Sequence, residues 1–110
     1  MNEQVKEKWL SSLRSGDYQQ TRLHLREGSG FCCLGVLCDL YGKEHNVEWE
    51  LMNDDTYYEF QGQTATLPSS VIEWAALKDH DFGSGIDPLS ALNDGGSTFN
   101  EIADLIEEHL

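Results

Sequence analysis

The sequence predicts an α+β fold in a single small domain over residues 1–110, with three to four helices packed on a short antiparallel sheet around a buried central helix at about 31–42. Three observations carry that prediction. In Gly30-Phe31-Cys32-Cys33-Leu34-Gly35-Val36-Leu37-Cys38-Asp39-Leu40-Tyr41, the residues Leu34, Leu37, Cys38 and Tyr41 fall at i, i+3, i+4 and i+7, which stacks them on one helical face. Thr98-Phe99-Asn100-Glu101 matches a capping box, followed by a stripe of Phe99, Ile102, Ala103, Ile106 and Leu110. Between these helices, Val47, Trp49 and Leu51 alternate with Glu48 and Glu50, and Thr56-Tyr57-Tyr58-Glu59-Phe60 has the β-branched and aromatic content of a returning strand.

Taken in order, residues 3–15 read as an amphipathic helix, with Val5, Trp9 and Leu13 at i, i+4 and i+8, ended by Ser15-Gly16-Asp17. Tyr18 to Arg26 reads as a short half-buried strand, Leu23 and Leu25 on one side and Arg22, His24 and Arg26 on a basic outer face. Glu27-Gly28-Ser29-Gly30 turns the chain into the central helix, which Gly42 and the polar run 43–46 close. Asn53-Asp54-Asp55 supplies the turn of the hairpin, and Gly62 marks a kink or second turn. Pro68 fits the first turn of a short apolar helix containing Val71, Ile72, Trp74, Ala75 and Ala76. Lys78 to Asp87 reads as a surface loop, Pro88 to Leu92 as a short edge strand, and Asn93-Asp94-Gly95-Gly96 as the turn before the last helix.

With 39% hydrophobic and 10% aromatic residues the chain carries enough apolar material to fold. The polar start, Met1 to Lys6, opens no long apolar run, so neither a secretory signal nor a membrane span is expected and a cytoplasmic location follows. Three cysteines cannot all pair within one chain, which favours reduced thiols. The Cys-Cys-x4-Cys spacing lacks the knuckle that brings two thiolates to one zinc ion, and no cofactor motif is present. Charge is distributed unevenly. Up to Lys43, six basic residues face five acidic ones, +1; from Glu44 onward Lys78 alone faces fifteen carboxylates, −14, and the two add to −13. Such a chain is repelled by nucleic acid and anionic membrane and drawn to basic protein surfaces.

Four groups of residues invite a chemical reading. Cys32 or Cys33, near a helix start, sits where the macrodipole favours a thiolate, the arrangement of a cysteine hydrolase, although no pattern ties a histidine to either. Core packing is the competing account for both. Asp79-His80-Asp81 with Asp87 and Asp94 offers oxygen and imidazole donors but lacks a calcium-loop pattern, so no metal site is assigned. Tyr18, Gln20, Arg22, His24 and Arg26 form a set that can hold an anion such as a nucleotide phosphate. Glu44, Glu48, Glu50, Asp54, Asp55, Tyr57 and Glu59 gather around the hairpin, combining steering charge with aromatic residues that anchor interfaces or fill a core.

Four stretches carry a resemblance: Trp9-Leu10-x2-Leu13-Arg14-Ser15-Gly16-x-Tyr18-x-Gln20; Phe31-Cys32-Cys33-Leu34-Gly35-Val36-Leu37-Cys38-Asp39-Leu40; Leu67-Pro68 with Trp74; and Leu92-Asn93-Asp94-x-Gly96-x-Thr98-Phe99-x2-Ile102-Ala103. In these the chain resembles a group of small bacteriophage and prophage proteins with no established activity. The resemblance implies an origin and a setting, but no reaction. Small acidic phage proteins are often accessory factors that block host enzymes, an analogy at the level of size and charge. The expected function is therefore a non-enzymatic counter-defence protein that inhibits a host factor with a basic, nucleic-acid-handling surface, binding it through the acidic hairpin. A small-ligand binder that sequesters a nucleotide immune signal, using the Tyr18–Arg26 segment, is the second reading, and a cysteine hydrolase the third.

Overall fold

A computed structural model describes residues 1–52, 56–77 and 87–110. Asn2 opens α1 (Glu3–Ser15) by accepting the Val5 N–H at 3.0 Å, and Gly16 closes it in the left-handed conformation at φ 82°. Val5, Trp9 and Leu13 are buried as their spacing predicts. The next segment departs from the expected continuous strand. It holds two short pieces, β1 (Gln19–Gln20) and β2 (Arg26–Glu27), separated by a bend in which Leu23 takes φ 74°. That left-handed residue breaks the period-two alternation, so Leu23 is 69% exposed while Leu25 is fully buried, and they do not share a side.

β3 (Gly30–Phe31) pairs parallel with β1 and antiparallel with β2, giving the order β1-β3-β2. Phe31 is thus a strand residue, and the central helix starts two positions later than expected. α2 (Cys33–His45) is capped by Cys32, whose Sγ accepts the Gly35 N–H at 3.3 Å, and it ends at Asn46 in the left-handed conformation. Gly42 does not close it. That residue is buried one turn before the end, where a Cβ would stand 2.6 Å from the Val47 carbonyl oxygen.

The hairpin is present but short: β4 (Glu50–Leu51) pairs antiparallel with β5 (Tyr58–Glu59), with Glu50 opposite Glu59. Its turn, residues 53–55, lies outside the described residues, as does the expected loop at 78–86. Among the described residues one bridge, Glu27 to Tyr57, joins the two small sheets, so a mixed sheet and a two-stranded one stand where a short antiparallel sheet is expected. Gln61 and Gly62, both at positive φ, make the tight turn after β5.

Pro68 caps α3 (Ser69–Ala75). Residues 88–92 are not a strand: they lie within α4 (Asp87–Asp94). The missing proline N–H costs nothing in a first helical turn, and Leu89 and Asn93, four apart, are both fully buried on one face. α5 (Phe99–His109) has both bonds of its capping box, at 3.2 Å and 3.0 Å, and buries Phe99, Ile102, Ala103 and Ile106. The described chain is therefore α+β with five helices. α2 lies at the centre, contacting α1, α3 and α4, while α1 also packs on α5.

Candidate functional site

Gly35, Asp39 and Lys43 lie at i, i+4 and i+8 on α2, a single stripe along the helix. Gly35 lets the backbone of Leu25 rest directly on that stripe, since any Cβ there would overlap the Leu25 carbonyl. The Leu25 carbonyl in turn accepts the Cys32 N–H at 3.0 Å, and the Leu25 N–H reaches the Thr64 carbonyl at 2.6 Å. This close approach sets the next residue, Arg26, beside Asp39 and Lys43.

Two clefts meet there. One, of 520 Å³, lies between the end of α1, Tyr18, Phe31 and α2; the other, of 340 Å³, lies between α2 and the hairpin residues Glu48, Trp49 and Tyr58. Arg26, Asp39 and Lys43 line both. Asp39 is held by three neighbours. It accepts the Tyr18 hydroxyl at 2.6 Å and the Trp49 indole N–H at 3.1 Å, and it pairs with Lys43 at 3.2 Å. Burial, and secondarily the bond to Asp39, raises the Tyr18 phenol above its ordinary value. The Lys43 ammonium is raised as well, by its 3.3 Å bond to the Tyr18 oxygen and by Asp39.

Arg26 is held differently. Its guanidinium lies 4.1 Å from the centre of the Tyr58 ring, 5.0 Å from Phe31 and 5.8 Å from Trp49, within cation–π range of all three. Its Nε is enclosed without a hydrogen-bond partner, and among the described residues no carboxylate pairs with the side chain.

The structure divides the sequence-derived ligand set. Tyr18 and Arg26 converge on the clefts. Gln20 is turned away, donating to Asn93 Oδ1 and the Ser97 carbonyl, both at 2.8 Å. Arg22 is exposed near Gly96. His24 stacks on Tyr57 at 4.5 Å and 7°, with Nδ1 3.5 Å from Glu27. Asp39 and Lys43 were missed by the reading that found Tyr18 and Arg26, yet their four-residue spacing on the polar side of the central helix is a visible signal.

The acidic set also divides. Glu50 and Glu59 face each other across the ladder, and Glu48 lines the smaller cleft. Glu44 sits on α2, 3.7 Å from Lys8. Tyr57 is occupied by His24, while Asp54 and Asp55 lie outside the described residues. Trp49 packs on Phe31, Tyr58 and Phe60, and Phe31, Trp49 and Tyr58 border Arg26.

Both thiols of the adjacent pair face the interior. Cys33 is fully buried, its Sγ 3.6 Å from the Leu89 carbonyl, and Cys32 is 5% exposed. Burial pushes the Cys32 thiol up to about 11, outweighing the backbone N–H groups at the helix start, and moves Cys33 and Cys38 upward too. Among the described residues no three of His, Cys, Asp and Glu gather as a metal site; Asp79-His80-Asp81 lies outside them. Likewise no described helix is long and apolar enough to cross a membrane.

The architecture is that of a small α+β domain with a caged arginine at the junction of its central helix and hairpin. The chain belongs to the family described as Domain of unknown function (DUF8296), whose model matches residues 1–110. No curated protein and no solved structure matches it.

Proposed function

We propose that this chain is a non-enzymatic binding protein, a phage counter-defence factor acting in the host cytoplasm, which inhibits a basic, nucleic-acid-handling host protein through the acidic face of the β4–β5 hairpin. The observation that supports it is the ladder register. Glu50 stands directly opposite Glu59, and neither has a cationic partner among the described residues. Like charges in that relation cost a strand pair ~0.2–1 kcal/mol. A basic side chain laid across the pair would turn this repulsion into attraction, and the net charge of −13 would steer such a partner to it. Glu48 extends the face toward the clefts.

The test is charge reversal. Glu50→Lys is expected to stabilise the isolated fold by ~0.2–1 kcal/mol, since it sets a cation opposite Glu59. It should also abolish salt-sensitive capture of a basic protein from host lysate, while reversal of the exposed Glu73 on α3 leaves capture intact. Failure to retain a basic protein at low salt, or equal retention by Glu50→Lys, would overturn the proposal.

A further inference from the structure

Arg26 is the cation on which a second site can be argued. Aromatic rings attract a guanidinium through its faces, whereas hydrogen bonds leave through its in-plane edge. Tyr58, Phe31 and Trp49 surround the group within cation–π range, and among the described residues no protein acceptor takes its donors. The carboxylate best placed to do so, Asp39, is already bound by Tyr18, Trp49 and Lys43. What results is an oriented guanidinium, free of protein acceptors among the described residues, where two clefts of 520 and 340 Å³ meet. Volumes of ~300–1,000 Å³ are those of small-molecule sites.

From this geometry we propose that the Arg26 junction binds a small-molecule carboxylate, a monoanion received by the edge of the guanidinium with Lys43 alongside. The charge inventory selects the ligand class. Lys43 is offset by Asp39, which leaves Arg26 as the cation without a carboxylate partner among the described residues, while Asp17 and Glu48 bring the lining as a whole to −1, so a polyphosphate would meet repulsion. A carboxylate matches the fork of one arginine with two parallel N–H···O bonds. The site is independent of the acidic pair proposed above, because Arg26 lies on β2 and neither Glu50 nor Glu59 lines the two clefts.

The test is a titration of the isotope-labelled protein with acetate, benzoate, benzamide and inorganic phosphate, followed by NMR at the Arg26 side-chain Nε–H, the Trp49 indole N–H and the backbone of residues 39–43. Acetate and benzoate should shift these signals and uncharged benzamide should not. Arg26→Lys keeps the charge but loses the fork, and should bind benzoate about tenfold more weakly. Arg26→Gln should not bind, and Arg22→Gln should titrate like the parent. Folding of the variants is read in the same spectra, and Arg26→Lys carries the test if the glutamine chain unfolds. Saturation absent at high carboxylate concentration, equal binding by Arg26→Lys, or tighter binding of phosphate would each overturn the proposal. Tighter binding of a blocked tripeptide with a free C-terminal carboxylate would assign the site to a peptide end and overturn it also.

Discussion

At the scale of single residues, Asn93 does more than its side chain's size would indicate. It is fully buried; its Oδ1 accepts from Gln20 at 2.8 Å and from the Cys33 N–H at 3.2 Å, and its Nδ2 donates to the Thr21 carbonyl at 2.8 Å. One amide thereby ties β1, the bend after it and the start of α2 to α4. Asn93→Ala would leave a buried N–H and a carbonyl unpaired, and is expected to lower unfolding free energy by ~2–4 kcal/mol in urea titration. Leu23 is the opposite case. A bulky residue at φ 74° stores strain, offset only in part by its N–H bond to Asp94 Oδ1 at 2.9 Å, and its side chain contributes nothing to the core. Neither role could be read beforehand. Asn93 looked like turn chemistry beside Asp94 and two glycines, and Leu23 obeyed an alternation that one backbone torsion cancels.

At the scale of elements, the helices were legible where caps and apolar spacing agreed. Gly16 ends α1, and Thr98 with Glu101 starts α5, as their local chemistry requires. Strands were less so, because pieces two residues long carry no alternation to detect. α4 departs from expectation for a related reason: residues 88–92 read as a short edge strand, where a proline is tolerated, whereas Pro88 stands in a helical first turn. The candidate site was half visible. Tyr18 and Arg26 were named from one segment, but their partners Asp39 and Lys43 belong to a helix whose apolar side drew the attention. Gly35 is the residue that brings the two segments together. Gly35→Ala should force Leu25 off α2 and cost ~3 kcal/mol or more, measurable as a lower thermal midpoint, with the Arg26 cage disrupted in any folded remainder.

At the scale of the whole molecule, the charge imbalance is partly answered by pairing between distant segments. Arg14 reaches Asp104 at 2.7 Å and Glu107 at 2.9 Å, although such exposed pairs contribute little stability. The buried thiols set a clearer condition on stability. Cys32 ionises in the unfolded chain near its ordinary 9.0 but in the folded protein only at about 11, and Cys33 and Cys38 shift the same way. The unfolded state therefore releases protons first as pH rises. Stability is complete below pH 9 and falls above it, by ~3 kcal/mol from Cys32 at ~1.4 kcal/mol per pH unit. Urea midpoints should hold level from about pH 8 to about pH 9 and fall from there to about pH 10.5, and a profile flat throughout would refute the burial of these thiols.

The packing of α1 against α5 also bears on the order in which the protein is made. α1 completes its interface only once α5 has been translated, and the start of α2 waits for Asn93 before its Cys33 N–H is satisfied. The nascent chain thus carries Val5, Trp9 and Leu13 without their full cover until α5 has emerged. Folding must then be a collective event that waits for α5, and chaperone demand should be concentrated in the interval between the emergence of α1 and that of α5.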